Sequence, residues 1–264
     1  MIFAGGIASS AAALHAEKVR KSFGVRGNIQ QVLRGIDLRI AHGEFVGIMG
    51  PSGSGKSTLL NVLAAIDRAT EGRIRIGDTD ITAMGNSRLA EFRRQRLGLI
   101  FQDYNLLDML TVKENVLLPV SLGRMPKAEA EERFRRIAEE LELLDLAARY
   151  PSELSGGQRQ RTSAARALIR EPSIVFADEP TGALDSKSAS SLLGLMERLN
   201  RVQGVTFLMA THDPAVSSYC SRVVFLRDGA IYSEVYKGER SRQAFFKEIL
   251  NVQAVLGGDH VDTL

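Results

Sequence analysis

The stretch FVGIMGPSGSGKST, Phe45 to Thr58, decides the fold of this chain. Its first six residues are almost all apolar, which is typical of a short strand covered on both faces. A glycine-rich turn follows, and KSTLLNVLAAI after it has the apolar spacing of a helix. Glycine, four residues and then Gly-Lys-Ser, placed between a strand and a helix, is the pattern of a phosphate-binding loop. The stretch therefore predicts a strand, loop and helix unit that binds a nucleoside triphosphate.

The chemistry of this loop assigns roles to its residues. Glycines let the backbone curl so that its N–H groups point at the phosphates, and the helix that follows presents its positive end to them. Lys56 is expected to reach the β- and γ-phosphates, and Ser57 offers a hydroxyl to Mg²⁺. A glycine-rich turn without a ligand is the weaker alternative. The predicted nucleotide-binding residues here are Gly50, Ser52, Gly53, Ser54, Gly55, Lys56, Ser57 and Thr58.

Two carboxylates follow a second buried strand, in SIVFADEP. Ligands of open α/β sheets sit at the carboxyl ends of the strands, where Asp178 and Glu179 emerge. We expect Asp178 to hold Mg²⁺ and Glu179 to orient and deprotonate the attacking water as the general base. Adjacent acids usually belong to a solvated loop, but the apolar run before these two and the phosphate motif elsewhere weaken that alternative.

Two further polar residues follow apolar runs. Gln102, in LIFQDYN, is expected to touch Mg²⁺ or the attacking water with its amide oxygen, although alone it would carry no information. His212, in LMATHDP, is expected to donate a hydrogen bond to the γ-phosphate. A lone histidine is more often structural, but its place at a strand end favours a functional role.

The stretch LSGGQRQR, Leu154 to Arg161, predicts a second anion site. Ser155, Gly156, Gly157 and Gln158 begin a helix, where a hydroxyl and unpaired N–H groups are available. A phosphate-binding loop alone leaves the γ-phosphate open to water, so a second set of donors is needed to enclose it. With one loop and one such helix start per chain, a two-fold dimer could place each across its partner's nucleotide.

Composition excludes several classes of protein. The 264 residues have a formal net charge of +3, and their basic residues alternate with acidic ones, so no nucleic-acid-binding arm is expected. The one cysteine, Cys220, excludes an internal disulfide and favours a reducing compartment, with a small apolar filler as its role. Charges interrupt every apolar run, so no segment is expected to span a membrane.

Periodicity predicts the remaining elements. Residues before Phe45 alternate between apolar and polar, which indicates antiparallel strands, and Asp228-Gly229 marks a hairpin turn. Strands that alternate with helices in the rest of the chain indicate a parallel sheet. An amphipathic helix is predicted over Ala128–Leu146 and another near the C-terminus. Their apolar stripes are Phe134, Ile137, Leu141 and Leu144 in the first, and Phe245, Ile249, Val252 and Leu256 in the second.

These motifs, in this order, resemble the ATP-binding cassette of ABC transporters. The resemblance implies an α/β P-loop NTPase fold with a mixed sheet core, an N-terminal antiparallel β subdomain and an α-helical insert subdomain. It implies that Ser155, Gly156, Gly157 and Gln158 bind the ATP of the opposing subunit in trans, together with Asp185 of TGALD. It also implies that Phe23, in KSFG, stacks on adenine, and that the insert near Gln102 receives a transmembrane subunit.

A narrower resemblance follows from EPTGALD, which is similar to the branch of macrolide exporters and lipoprotein-release ATPases. FQDYNLLDMLTVKENVLLPVSLGR and the C-terminal RQAFFKEILNVQAVLGG are similar to the bacitracin-resistance type of peptide-antibiotic transporter. That resemblance implies an ATPase using ATP and Mg²⁺ at the cytoplasmic face of the membrane. Its implied partners are a second copy, a permease and, through the permease, a sensor histidine kinase, with no direct contact to nucleic acid.

Alternatives stay open at this point. A lipoprotein-release or macrolide-export ATPase would share the same motifs, and so would a cassette that serves mainly as a sensor of substrate flux. A nucleic-acid-associated cassette protein is less favoured, because the chain lacks zinc cysteines, a second cassette and long coiled-coil insertions. The domain division expected is a disordered tail over 1–13, the ATP-binding domain over 14–240 with a helical insert at about 103–165, and a C-terminal helix and tail over 241–264.

Overall fold

The computed structural model describes residues 12–25, 28–123 and 125–258. Residues 1–11, most of the predicted tail, lie outside the described residues, as do 259–264 at the other end. Ala12 and Ala13 belong to the first strand, and Ala13 is buried in it. The prediction of a disordered tail is therefore wrong for Ala12 and Ala13.

The first sheet has four strands in the order β2-β1-β4-β5, and every neighbouring pair is antiparallel. This is the antiparallel subdomain that the alternating pattern predicts. Leu14, Leu33 and Ile74 are among the apolar side chains that its strands bury against the rest of the protein. The strands are β1 (Ala12–Val25), β2 (Asn28–Ala41), β4 (Glu71–Ile76) and β5 (Thr79–Asp80).

The second sheet has six strands in the order β10-β9-β3-β8-β7-β6 and is the mixed core predicted from the sequence. Its neighbours are parallel except in the β9–β10 hairpin, which turns at Asp228-Gly229 with φ of 50° and 77°. The strands are β3 (Phe45–Met49), β6 (Leu97–Ile100), β7 (Ile174–Asp178), β8 (Phe207–Ala210), β9 (Arg222–Arg227) and β10 (Ala230–Tyr236).

Helices cover this sheet and form the insert. Those before LSGGQ, residues 154–158, which we call the signature, are α1 (Lys56–Leu63), α2 (Asn86–Arg96), α3 (Val112–Ser121) and α4 (Lys127–Glu140). Those that begin within or after it are α5 (Gly156–Leu168), α6 (Ser186–Gln203), α7 (Pro214–Ser217) and α8 (Arg242–Gly258). The stretch proposed as the insert contains α3, α4 and most of α5, and α3 and α5 pack on each other within the larger core cluster.

One helix is shorter than predicted. The pattern predicts it to Leu146, but α4 ends at Glu140, and Leu144–Leu146 forms a separate 3₁₀ turn. Glu142 has φ of 55°, and the N–H of Leu143 donates to the carbonyl of Ala138 at 2.7 Å, which is the geometry of a Schellman stop. Leu144 is therefore exposed, although the apolar stripe included it.

The C-terminal helix agrees with its predicted stripe. Phe245, Ile249 and Leu256 are buried in the larger core cluster, and Val252 packs against it. Cys220 is also completely buried in that cluster, and burial raises the pKa of its thiol far above the usual range. It fills space next to Gly47, as expected of a small apolar side chain.

Sheet topology brings the chemistry to one edge. Strands β3, β8, β7 and β6 are successive parallel neighbours, so their carboxyl ends lie side by side. The segments that follow these four strands contain the phosphate-binding loop, His212, the Asp178-Glu179 pair and Gln102. The fold thus collects four motifs that are far apart in sequence.

Candidate nucleotide-binding site

The phosphate-binding loop depends on glycine at its two ends. Gly50 has φ of 154°, and a Cβ there would lie 2.2 Å from the carbonyl oxygen of Leu226. Gly55, with φ of 100°, is the residue from which α1 begins. Side chains are strained in the left-handed region and no side chain fits beside Leu226, so the loop can curl tightly only with these glycines.

Lys56 lies inside the loop. Its Nζ donates to the carbonyls of Gly50 and Pro51 at 2.8 and 3.0 Å. Burial lowers the pKa of Lys56, while the charges of Glu179 and Asp178 act in the opposite direction. A half-buried ammonium held mainly by neutral carbonyls gains from an anion, so the loop is electrostatically suited to phosphate.

Asp178 faces Ser57 from the end of β7. The Ser57 hydroxyl donates to Asp178 Oδ1 at 3.4 Å. Burial raises the pKa of Asp178, the Ser57 hydrogen bond opposes that rise and the charge of Glu179 adds to it. Within the described part of the chain, no group of three or more His, Cys, Asp or Glu side chains could hold a metal by itself. A hydroxyl and a carboxylate are a donor set that fits Mg²⁺, which takes few protein ligands and keeps several waters.

Glu179 is held in an unusual backbone conformation. Its φ is 44°, and its N–H donates to the carbonyl of Ala210 in the neighbouring strand β8 at 2.9 Å. The carboxylate accepts from the Thr211 hydroxyl at 3.0 Å and from the His212 backbone N–H at 3.0 Å. His212 Nδ1 lies 2.7 Å from the same carboxylate. A left-handed non-glycine residue held by several partners is typical of functional sites.

Gln102 lies beside the turn that follows the acidic pair. A Cβ added to Gly182 would lie 3.0 Å from Gln102 Cδ, and the N–H of Gly182 donates to the carbonyl of Glu179 at 3.0 Å. The amide is therefore next to the acidic turn, as expected of a group that shares a site with it.

Sequence reasoning missed Gln160, which ties these segments together. This completely buried side chain donates through Nε2 to the carbonyls of Phe101 and Pro180 at 3.0 and 2.6 Å. Thr211, bonded to Glu179, was also missed. Gln160 lies two residues after the signature on α5 and Thr211 directly before His212, so nearness to a motif was the signal that could have found them.

A cavity of about 670 Å³ opens over the loop. Its size is within the range of small-molecule sites. Glu179 and His212 line it, together with Gln30 and Val32 from β2 and Gln253 from α8. The residues of the loop that line it are Gly50, Pro51, Ser52, Gly53, Gly55, Lys56, Ser57 and Thr58.

Ser54 is buried and is not among the residues that line this cavity. Its carbonyl accepts from the Gly229 N–H at 3.2 Å, and its own N–H donates to the carbonyl of Pro51 in the loop at 3.2 Å. Its hydroxyl has no hydrogen-bond partner among the described residues. These backbone bonds hold the loop in place, and contact between Ser54 and a nucleotide stays a prediction.

Phe23 lies near the rim of this region. It pairs with Gln30 across β1 and β2, and Gln30 lines the cavity. The Phe23 ring is exposed, with Lys21 Nζ 4.7 Å from its centroid. An exposed ring can accept a stacked base, so adenine stacking on Phe23 stays a prediction.

The signature residues lie apart from this cavity. Ser155 caps α5 by accepting from the Gln158 N–H at 3.3 Å, while Gln158 Oε1 accepts from the Ser155 N–H at 2.9 Å. A Cβ on Gly157 would lie 3.0 Å from the hydroxyl of Ser188, which donates to Asp185 at 2.7 Å. The residues predicted to act in trans thus form a second group, with Asp185 beside the start of α5.

Helix geometry leaves this second group with free donors. The N–H groups of Gly156 and Gly157, in the first turn of α5, have no intrahelical acceptor. The hydrogen bond of the Ser188 hydroxyl to Asp185 lowers the pKa of that carboxyl, with backbone N–H groups adding to the effect. One chain therefore carries two groups of candidate phosphate donors on different parts of its surface.

Comparison with known proteins gives consistent matches. The model of the family described as ABC transporter matches residues 33–182. The chain is 56% identical over 247 residues to the bacitracin export ATP-binding protein BceA of Halalkalibacterium halodurans, covering 94% of this chain and 98% of that protein. It is 45% identical over 221 residues to the lipoprotein-releasing system ATP-binding protein LolD of Porphyromonas gingivalis, covering 84% and 99%.

A solved structure is similar as well. The dimeric ABC transporter cassette MJ0796 of Methanocaldococcus jannaschii superposes with a TM-score of 0.77 at 39% identity, covering 84% of this chain and 98% of that one. The same cassette is also known as a dimer in a post-hydrolysis state bound to ADP and Pi, with a TM-score of 0.77. The α/β cassette fold expected from the sequence is confirmed by this likeness.

Proposed function

The chain belongs to the ABC transporter family, and we propose that it is the ATP-hydrolysing subunit of a membrane exporter, working as a homodimer with a separate permease. One observation carries the proposal. Lys56, Glu179 and His212 line one cavity, whereas the second set of phosphate donors, at Ser155 to Gln158, lies elsewhere on the same chain. Such a site is complete only when two copies meet.

Binding of the triphosphate is assigned to the loop. Its backbone and the first turn of α1 provide N–H donors, and Lys56 turns from the carbonyls of Gly50 and Pro51 to the phosphates. This exchange is favourable because a charged acceptor replaces neutral ones. Adenine is assigned to the Phe23 side, next to Gln30 and Val32.

Ser57, Asp178 and Gln102 are the residues we propose to hold Mg²⁺, Asp178 directly or through water. When bound, this ion would neutralise the negative charge that develops on the phosphate oxygens during hydrolysis. The raised pKa of Asp178 supports the assignment, since a partly buried carboxylate beside a hydroxyl gains from a nearby cation.

Glu179 is proposed as the general base. A carboxylate can only accept hydrogen bonds, so His212 Nδ1 carries the hydrogen in their 2.7 Å contact. Thr211 and the His212 N–H fix the same carboxylate, which leaves it aimed into the cavity to orient water and take its proton.

His212 then has two tasks. With Nδ1–H bound to Glu179, Nε2 of the neutral ring is an acceptor and repels phosphate oxygen. A hydrogen bond from Nε2 to the γ-phosphate requires a hydrogen on both ring nitrogens. We therefore propose that His212 positions Glu179 through Nδ1 and donates from Nε2 to the γ-phosphate when the nucleotide is bound.

The dimer follows from the separation of the two donor groups. A two-fold axis would bring Ser155 to Gln158 and Asp185 of one copy over the loop of the other, which makes two equivalent sites. The dimeric state of the similar MJ0796 cassette supports this arrangement.

A groove on the insert fits a permease segment. A cavity of about 390 Å³ between α2, α3 and α5 has apolar walls that include Leu99, Leu118 and Leu122. Four arginines border it, Arg93, Arg94, Arg166 and Arg170. An apolar groove with a cationic rim suits a short acidic or carbonyl-rich loop. No helix among the residues that the structure describes is long and apolar enough to cross a membrane, so we assign the transport path to the permease.

The substrate class rests on similarity. The bacitracin export protein is more identical to this chain than the lipoprotein-releasing protein is, and it aligns over more of it. We propose peptide-antibiotic resistance or sensing as the role, at the cytoplasmic face of the membrane. A sensor histidine kinase reached through the permease belongs to the same proposal.

Complementation between two inactive variants tests the shared site. Lys56→Ala removes the loop's cation and Ser155→Arg blocks the signature, so each homodimer has two damaged sites. Their heterodimer has one site with both defects and one intact site. Half of the dimers in an equal mixture are heterodimers, so we expect about a quarter of wild-type hydrolysis to return. A mixture in which differently tagged copies of the two variants copurify as dimers, yet which stays inactive, contradicts completion in trans.

A further inference from the structure

Helix α8 carries a stripe of side chains that the fold leaves uncovered. Phe246, Leu250 and Gln253 have the i, i+4, i+7 spacing of one helix face. Phe246 is half-buried, Leu250 is 40% exposed and Gln253 is exposed. The neighbouring stripe of the same helix is the one that packs into the core. We call Phe246, Leu250 and Gln253 the α8 stripe.

The α8 stripe joins two parts of the nucleotide-binding edge. At one end, Phe246 lines a cleft of about 440 Å³ between α6, α7 and α8, whose wall includes Leu184 and Ser186 on either side of Asp185. At the other end, Gln253 lines the cavity over the phosphate-binding loop.

The cleft and the cavity also meet at consecutive residues. Asp213 lines the cleft, and His212 lines the cavity. A continuous surface therefore runs from the phosphate-binding loop along α8 to the segment around Asp185, with Leu250 in its middle.

We propose that the α8 stripe is part of the homodimer interface and is covered by a second copy of this chain. This inference rests on the proposed function, in which the partner closes over the loop and over Asp185. The surface between those two points is the α8 stripe, so a partner that reaches both must pass over Leu250. Central apolar contacts within a polar rim are typical of protein interfaces. Two-fold symmetry places the α8 stripe of both copies in the interface, so one substitution changes the interface twice.

A charged substitution in a hydrolysis-deficient background tests the stripe. Glu179→Gln should hold the dimer in Mg-ATP, and Leu250→Asp is added to it. We expect the dimer dissociation constant, measured by sedimentation velocity in Mg-ATP, to rise about thirtyfold, because the interface loses a buried leucine twice. Binding of a fluorescent ATP analogue to the monomer reports that the fold is intact. Leu250→Ser, a milder change, should weaken the dimer in the same direction.

Two exposed valines serve as matched controls. Val202 is 71% exposed and lies near the C-terminal end of α6, at the opposite end of that helix from Ser186. Val255 is 58% exposed and lies about 140° around the axis of α8 from Leu250. Aspartate at either position should leave dimerisation of the Glu179→Gln protein unchanged. Equal weakening by Val255→Asp would overturn the assignment to the stripe.

The remaining outcomes separate this inference from the function on which it rests. If Glu179→Gln dimerises and both Leu250 variants dimerise equally well, the stripe is not in the interface while the proposed function stands. If Glu179→Gln binds ATP and stays monomeric at every concentration, the dimer and the inference fail together. Loss of analogue binding in both Leu250 variants would also overturn the inference, since it would show that Leu250 is required for folding of the monomer.

Discussion

Replacing Glu179 by glutamine removes the proposed base with little change of shape. The amide oxygen can still accept from the His212 N–H and Nδ1–H, which lie 3.0 and 2.7 Å from Oε1. The new NH₂ faces the Thr211 hydroxyl, 3.0 Å from Oε2, and that hydroxyl can accept as well as donate. All three contacts survive, so we expect the free energy of unfolding to change by less than about 1 kcal/mol.

Hydrolysis should respond very differently. A positioned general base contributes about 10²- to 10⁴-fold to a rate, so kcat should fall by roughly 10³, or about 4 kcal/mol of activation free energy. Phosphate release at saturating Mg-ATP measures the rate, and binding of a fluorescent ATP analogue should stay within about twofold of wild type. Glu171, at the opposite end of β7 and paired with Arg133 and Arg136, offers the matched control Glu171→Gln. Retention of more than about half of the wild-type kcat in Glu179→Gln would refute the assignment of the base.

Three other substitutions test separate parts of the structure. Lys56→Ala should weaken ATP binding by roughly 1.5–3 kcal/mol in titration calorimetry, because the charge-assisted hydrogen bonds to phosphate are lost; unchanged affinity would contradict its role. Burial raises the pKa of Asp178, so its ionised carboxylate destabilises the folded protein at neutral pH. Below the pKa that this carboxyl has in the unfolded chain, it is protonated in both states and the destabilisation is absent. Asp178→Asn should thus raise the melting temperature of the nucleotide-free protein at pH 7.5, with the gain vanishing near pH 4 and the extra stabilisation by Mg-ATP reduced. Arg222 is buried between Glu44 and Glu234, so Arg222→Ala should cost about 3–5 kcal/mol in urea unfolding, and a loss below about 1 kcal/mol would contradict that reading.

Short-range patterns predicted the elements that carry the chemistry. The apolar runs before Gly50, Asp178 and His212 indicate buried strands, and parallel strands place their carboxyl ends at one edge, so the meeting of these groups could be predicted. The signature at Ser155 could be recognised as a helix start because its capping pattern is local.

Features that depend on distant partners could not be predicted in the same way. Periodicity continued the helix past Glu140, whereas the left-handed Glu142 stops it, and nothing in the local pattern marks that residue. Ser54 resembles its neighbours in the loop, yet it is buried, and its carbonyl accepts from the N–H of Gly229 at the β9–β10 turn. Gln253 reaches the nucleotide cavity only because α8 packs back across the core, a contact made far from the phosphate motif in sequence.

The groove proposed for the permease and the catalytic edge share one helix. On α5, Arg166 lines the groove and donates to the carbonyls of Tyr104 and Asn105, two and three residues after Gln102. About one and a half helical turns earlier in α5, Gln160 donates to the carbonyls of Phe101 and Pro180. These two residues lie just beyond the carboxyl ends of the neighbouring strands β6 and β7. A permease segment that shifts Arg166 would therefore move the residues flanking Gln102 and the turn after Glu179 together. Because the buried amide contacts of Gln160 break at a cost of about 1–3 kcal/mol each, we expect any displacement of α5 to carry these segments with it.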